Sequence, residues 1–157
     1  MEIVVVLPDI RSTYNVGSIF RTADAAGVQK IFLCGITPAP IDQFGRKRND
    51  IAKVALGAED TIAWEYVKST TRLIGRLKKE GYTVCAVEQA PNSTPYSAFK
   101  APKKAKLALI MGNEVKGLPK AVLSRVDNVL EIPMLGAKES LNVSVAFGIV
   151  AFGIIDR

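Results

Sequence analysis

Residues 2–34 read EIVVVLPDIRSTYNVGSIFRTADAAGVQKIFLC and hold a strand, a helix and a second strand. After Glu2, residues 3–7 of this stretch form an unbroken, largely β-branched apolar run that stops at Pro8, so 2–7 reads as a strand. A strand apolar on both faces needs cover on both, which is the situation of a parallel sheet. From about Asn15 to Ala26 the apolar residues Val16, Ile19, Phe20, Ala23 and Ala26 recur at helical spacing. Asn15 or a polar neighbour can cap the start of that helix and Gly27 can end it. Residues 30–34 then return to an apolar strand.

The same alternation continues outward along the chain. Strand character near 61–64 precedes a helix from about Val67 to Glu80, ended by Gly81, and a strand at 82–87. Residues 106–111 form another apolar strand, Pro119 suits the first turn of a helix reaching about Arg125, and 128–132 make a last strand. Residues 36–53, with Pro38 and Pro40, predict an exposed loop and a short helix. Residues 91–104 hold three of the eight prolines and predict a surface connection. The expectation is therefore one α/β domain over 1–157, its sheet largely parallel with helices on both faces. At 157 residues such a chain can bury about 70% of its unfolded surface and needs neither metal nor disulfide. The final segment, 140–155, has almost no polar side. It must be covered by its own domain, by a second subunit, or by both, which predicts a homodimer packed through it.

Composition removes several kinds of chemistry. There is no histidine, so Ser-His-Asp and Cys-His nucleophiles, histidine bases and histidine-ligated metals are all excluded. Cys34 and Cys85 sit inside apolar runs and read as buried, reduced thiols. No apolar stretch approaches the roughly 18 residues of a membrane span. The start lacks the basic segment and cleavage site of a signal peptide, which predicts a cytoplasmic protein. The formal charge is +6, and the window from Lys100 to Arg125 alone carries seven basic residues against Glu114. A positive field so placed suits either a polyanion such as nucleic acid or an ordinary solvated face.

Open α/β sheets bind ligands beyond the carboxyl ends of their strands. After the strand at 106–111 comes Gly112-Asn113-Glu114-Val115-Lys116-Gly117-Leu118-Pro119, whose glycine spacing imitates a P-loop. Leu118 and Pro119 stand where a P-loop needs Lys and Ser or Thr, and no G-x-G-x-x-G follows the first strand. After the last strand, Ser140, Asn142 and Ser144 crowd the entry to an apolar helix. Capping explains one such residue, so the others should meet a ligand or another loop. Arg21 reads either as a surface partner of Asp24 or as a fork for phosphate.

Three segments, residues 15–23 (NVGSIFRTA), 110–118 (IMGNEVKGL) and 132–146 (IPMLGAKESLNVSVA), together resemble the ordered motifs of the SpoU (TrmH-like) RNA 2′-O-ribose methyltransferases, of the SPOUT class. The resemblance spans essentially the whole chain. It implies a SPOUT fold with a C-terminal deep trefoil knot, which strand counting could not show because connections rarely knot. It also implies a homodimer through the terminal helix and S-adenosylmethionine as methyl donor. By position the cofactor would meet Val87, Glu88, Met111, Gly112, Ile132, Met134 and Leu141. The catalytic group would be Arg21, Asn15, Glu114, Ser140 and Asn142, with Arg21 activating or positioning a ribose hydroxyl of tRNA or rRNA and Asn15 and Glu114 orienting it. No metal is implied. The chain departs from many members in showing no appended RNA-binding domain, which leaves Arg46, Lys47, Arg48, Lys53, Lys103, Lys104, Lys116 and Lys120 as candidates for holding RNA. The rival expectations are a catalytically silent RNA-binding module of the same fold, a base-methylating SPOUT enzyme, and a generic nucleotide-binding α/β protein.

Overall fold

A computed structural model describes residues 1–156. Seven strands form one sheet in the order β3-β2-β1-β6-β4-β7-β5, and every neighbouring pair is parallel. β1 (Glu2–Pro8) lies inside the sheet between β2 (Lys30–Cys34) and the central strand β6 (Lys106–Met111). β3 (Ala63–Val67) forms one edge, and β4 (Thr83–Val87), β7 (Asn128–Glu131) and the two-residue β5 (Thr94–Pro95) complete the other side. Helices cover both faces, as the alternation predicts. Along β1, Ile3, Val5 and Leu7 pack towards α1 (Thr13–Ala25) and α6 (Val143–Ile155). Val4 and Val6 point the other way, towards α4 (Thr70–Lys79) and α5 (Lys120–Leu123). This alternation of sides at period two is why the run could not be half polar.

Several boundaries differ from the sequence reading, each for a local reason. Ser12 caps α1, its hydroxyl accepting from the Asn15 N–H at 3.1 Å, so the helix starts before Asn15 and the Asn15 amide is released for other work. The strand expected near 61–64 is displaced to Ala63–Val67. Between α2 (Asn49–Ala55) and β3, Leu56 and Gly57 both take positive φ (53° and 95°) and the short helix α3 (Ala58–Thr61) is inserted. The buried Glu59 carboxylate fixes that corner by accepting from the Gly57 N–H at 2.9 Å. The helix expected from Val67 begins instead at Thr70, where the Ser69 hydroxyl caps it. The 91–104 connection is not wholly irregular: β5 pairs with β7, and a 3-10 turn follows at Tyr96–Ala98. α5 is shorter than expected, with Pro119 just outside it as its cap.

Both cysteines are free and fully buried, and burial pushes the Cys34 thiol up to about 11 and the Cys85 thiol up to about 12. Among the described residues no helix is long and apolar enough to cross a membrane, and no cluster of His, Cys, Asp or Glu could hold a metal ion.

Gly17 lets α2 lie directly on α1. A Cβ there would stand 2.7 Å from the Ile51 carbonyl oxygen and 3.0 Å from the Val54 Cβ. Gly75, exposed in α4, would meet nothing within 4 Å. Gly17→Ala should therefore lower stability by about 1–3 kcal/mol through overpacking, whereas Gly75→Ala should raise it by about 0.5–1 kcal/mol through helix propensity. Urea unfolding of the two variants checks the contrast, and equal effects would contradict the packing argument.

Candidate active site

Because all strands run the same way, the loops after β1, β2, β4, β6 and β7 emerge at one edge of the sheet. A cleft of about 320 Å³ lies there, within the size range of small-molecule sites. Val87, Glu88, Met111, Gly112, Ile132, Met134 and Leu141, the seven residues expected beside a cofactor, all line it. So do Glu114, Ser140 and Asn142. Gln89, Asn113, Val143 and Ala146 complete the wall and were missed by the sequence reading.

A line of side-chain hydrogen bonds joins the three motif segments beside this cleft. The Asn142 amide donates to Asn15 Oδ1 at 3.1 Å, and the Asn15 amide donates to Glu114 Oε1 at 3.2 Å. Asn142 Oδ1 accepts from the backbone N–H and the hydroxyl of Ser144, at 2.9 and 2.6 Å, so Asn142 caps α6 and holds Asn15 at the same time. Of the polar residues crowded at 140–144, Asn142 meets another element, Ser144 supports Asn142 within the cap, and Ser140 faces the cleft. α6 itself begins at Val143, leaving Ser140 and Leu141 in the entering loop. Asn15 is buried, so both ends of its amide need partners, and each has one.

The loop after β6 is shaped by carboxylate and amide side chains. Glu88 Oε2 accepts from the Leu118 N–H at 2.9 Å, and Oε1 from the Gln89 N–H at 2.9 Å. Gly112 was expected beside the cofactor, and close backbone approach to a ligand favours a residue without Cβ. The structure adds a protein reason, since a Cβ on Gly112 would stand 2.9 Å from Glu88 Oε2. Gly117, at φ 66°, would place a Cβ 2.3 Å from the same oxygen. Asn113 folds the loop on itself: its Oδ1 accepts from the Val115 and Lys116 N–H groups at 2.9 and 3.0 Å, and its amide donates to the Asp9 carbonyl. A turn-forming Asn four residues before a glycine was the available signal for Asn113.

Not every expected residue joins this constellation. Arg21 is exposed on α1 and does not line the cleft. It makes no ion pair with Asp24, whose carboxylate instead accepts from the Thr61 hydroxyl at 3.2 Å. The basic window is also split. Lys103 and Lys104 precede β6 and stand at the edge opposite the cleft, while Lys116 and Lys120 follow it at the cleft edge. The window does not fold into one patch. Lys47 lies 3.6 Å from Glu59 and 3.7 Å from Asp60, so part of its charge is spent within the fold. Arg46 bonds Asp42 at 3.1 Å but stays largely exposed. Arg48 has its Nε buried without a hydrogen-bond partner, and Lys53 lies on α2.

The cleft wall includes two carboxylates, Glu88 and Glu114, and no Lys or Arg among its described residues. Such a wall repels polyphosphates and suits a ligand that carries positive charge beside an apolar body. Residues 2–152 match the model of the SpoU rRNA Methylase family. The chain belongs to that family. Among SpoU relatives, a 23S rRNA (guanosine-2′-O-)-methyltransferase from Ralstonia nicotianae is 34% identical over 96% of this chain and 57% of its own length. A crystal structure of an AdoMet-bound rRNA methyltransferase from Sinorhizobium meliloti superimposes with a TM-score of 0.86 at 32% identity, over 97% of this chain and 55% of that one. The chain thus spans a little over half the length of these two relatives. A third structure, described as giving structural insights into 2-OH methylation of C/U34 on tRNA, is 26% identical with a TM-score of 0.80, and there the match covers 96% of this chain and 92% of the other.

Proposed function

We propose that this SpoU-family chain transfers a methyl group from S-adenosylmethionine to a ribose 2′-hydroxyl of rRNA or tRNA. The observation that carries the reading is the line Asn142–Asn15–Glu114, which ties three motif segments together at the rim of a cleft whose charges are carboxylates. The residues fit the cofactor. Val87, Met111, Ile132, Met134 and Leu141 offer an apolar wall, Gly112 keeps the backbone uncovered, and Glu88 and Glu114 suit a cation nearby. S-adenosylmethionine, when bound, supplies an electrophilic methyl group on a sulfonium sulfur.

The work of the chain is orientation. Glu114, held by Asn15, and Ser140 present a carboxylate and a hydroxyl at the cleft, where a ribose hydroxyl can be aligned with the methyl group. With the methyl donor bound, the 2′-oxygen would form its bond to the methyl carbon as the carbon–sulfur bond breaks, leaving the thioether, and the hydroxyl proton would pass to solvent water. Arg21 grips a phosphate or ribose arriving from solvent with its guanidinium fork, a positioning role. RNA is held at the cleft edge by Arg46, Arg48, Lys53, Lys116 and Lys120, while Lys47, Lys103 and Lys104 contribute less.

The same reading includes a homodimer, a trefoil knot and a cytoplasmic location. The dimer is supported by α6, which buries Phe147, Val150 and Ala151 in its own domain yet exposes Val145 (49%) and Phe152 (41%) on the other side. The knot is supported by strand order: β5 precedes β7 in sequence but lies outside it, and α6 returns beside the turn at Tyr96–Ala98, so the chain leaving β7 has to pass the 88–105 connection.

The test is transfer of labelled methyl from S-adenosylmethionine to unmodified rRNA and tRNA, followed by digestion to nucleosides. A 2′-O-methyl nucleoside is expected. A methylated base would move the chain to the base-methylating alternative, and RNA binding without any cofactor binding would favour the silent module.

A further inference from the structure

We propose that the hairpin at 41–47 is a stacking finger for an unpaired nucleobase, so that the RNA handled by this chain is single-stranded or looped where the finger meets it. The inference rests on the RNA reading above and names its substrate class. Phe44 stands at the hairpin tip with 71% of its surface exposed. Its exposure is not the looseness of an unstructured loop. Ile41 and Lys47 form an antiparallel bridge, and the Asp42 N–H donates to the Arg46 carbonyl at 2.8 Å. The Asp42 carboxylate accepts from the N–H groups of Phe44 and Arg46 at 2.8 and 2.9 Å and from Arg46 Nε at 3.1 Å. Gly45, at φ 77°, closes the turn. The chain spends a network of hydrogen bonds on displaying an aromatic ring to solvent, where its burial energy is unused.

The ring is not displayed alone. The Arg46 guanidinium lies 5.0 Å from its centroid, within cation–π range, and leaves most of the ring open. Arg46 itself is 72% exposed, and Arg48 and Lys53 follow with no acidic partner among the described residues. An exposed aromatic face beside an exposed guanidinium, with further cations close by in the chain, is the composition of single-strand sites, where bases stack on rings and phosphates meet Lys and Arg. A duplex hides its base faces and could use only the charges. The location agrees. The hairpin follows the carboxyl end of β2, at the same sheet edge as the cleft, and β2 lies two strands from β6, about 10 Å at ordinary strand spacing.

The experiment measures binding without turnover, using a single-stranded oligoribonucleotide carrying 2-aminopurine and a blunt RNA duplex of equal length. Wild type should bind the single strand and change the 2-aminopurine emission on stacking. Phe44→Ala should bind it on the order of 10-fold more weakly, lose the emission change, keep the salt slope and bind the duplex as wild type does. Phe44→Trp should restore both signals, and thermal unfolding should show all three proteins equally folded. Unchanged affinity and emission in Phe44→Ala would overturn the finger and leave the methyl-transfer reading standing. Failure of wild type to bind either RNA would overturn both. A changed sedimentation equilibrium of Phe44→Ala without RNA would assign the tip to contact with a second copy, and the finger would fall.

Discussion

Arg21→Ala should slow methyl transfer by about 100-fold or more while leaving the affinity for S-adenosylmethionine nearly unchanged. The structure makes this a clean experiment. Arg21 is exposed and stands outside the cleft wall, so its loss removes no packing and no cofactor contact. Its neighbour Asp24 bonds Thr61 rather than the guanidinium, so the substitution strands no carboxylate. Arg21→Lys should recover little, because an ammonium cannot reproduce the two-pronged grip of a guanidinium on phosphate. The measurement is kcat for transfer beside Kd for the cofactor, on one preparation. Loss of cofactor binding would show that Arg21 shapes the cleft, and the positioning role would be wrong.

Gly117→Ala should produce the opposite pattern, a loss of cofactor affinity of about 10-fold or more with lowered stability. Two effects add at this residue. The left-handed φ of 66° costs an alanine about 1 kcal/mol. The new Cβ would also lie 2.3 Å from Glu88 Oε2, which holds the Leu118 N–H. The Glu88 carboxylate must move, and the 112–118 loop, closed on itself by mutual backbone bonds between Asn113 and Gly117, loses its anchor. Gly112 and Glu114 on that loop line the cleft, so the wall shifts with it. The Gly117→Ala/Glu88→Ala double variant should be milder than the sum of its parts, because the second change removes the group that the first one strikes. Calorimetric binding of S-adenosylmethionine checks the series. Wild-type affinity in Gly117→Ala would show that this loop is not the cofactor wall.

These two residues also show how far the sequence could be read. Arg21 was legible as a candidate because of its place in a motif, yet its odds between a salt bridge and a functional role could not be settled by helical spacing. Only the contact of Asp24 with Thr61, a residue 37 positions away, removed the local partner. Gly117 was legible as half of a glycine pair, but its reason was not. The group that forbids a side chain there is Glu88, in the loop after β4, and no local pattern points from one to the other. Glu88 was expected beside the cofactor, and its carboxylate proves to be a clamp on the neighbouring loop as well.

What the sequence determined by itself was everything that depends on neighbours in the chain. Apolar periodicity dictates which runs are strands and which are helices. Unbroken apolar runs such as 3–7 require cover on both faces, and the absence of histidine closes off whole mechanisms. What only the tertiary structure decided was proximity. Asn15, Glu114 and Asn142 are separated by 99 and 127 positions from first to second and first to third, and they meet because three parallel strands deliver their loops to one edge. The same parallel arrangement separates what the chain holds together. Lys104 and Lys116 fall in one basic window, but β6 runs between them and carries them to opposite edges of the sheet. Charge is additive along a sequence, whereas a field or a binding site depends on distance, and distance is set by the fold.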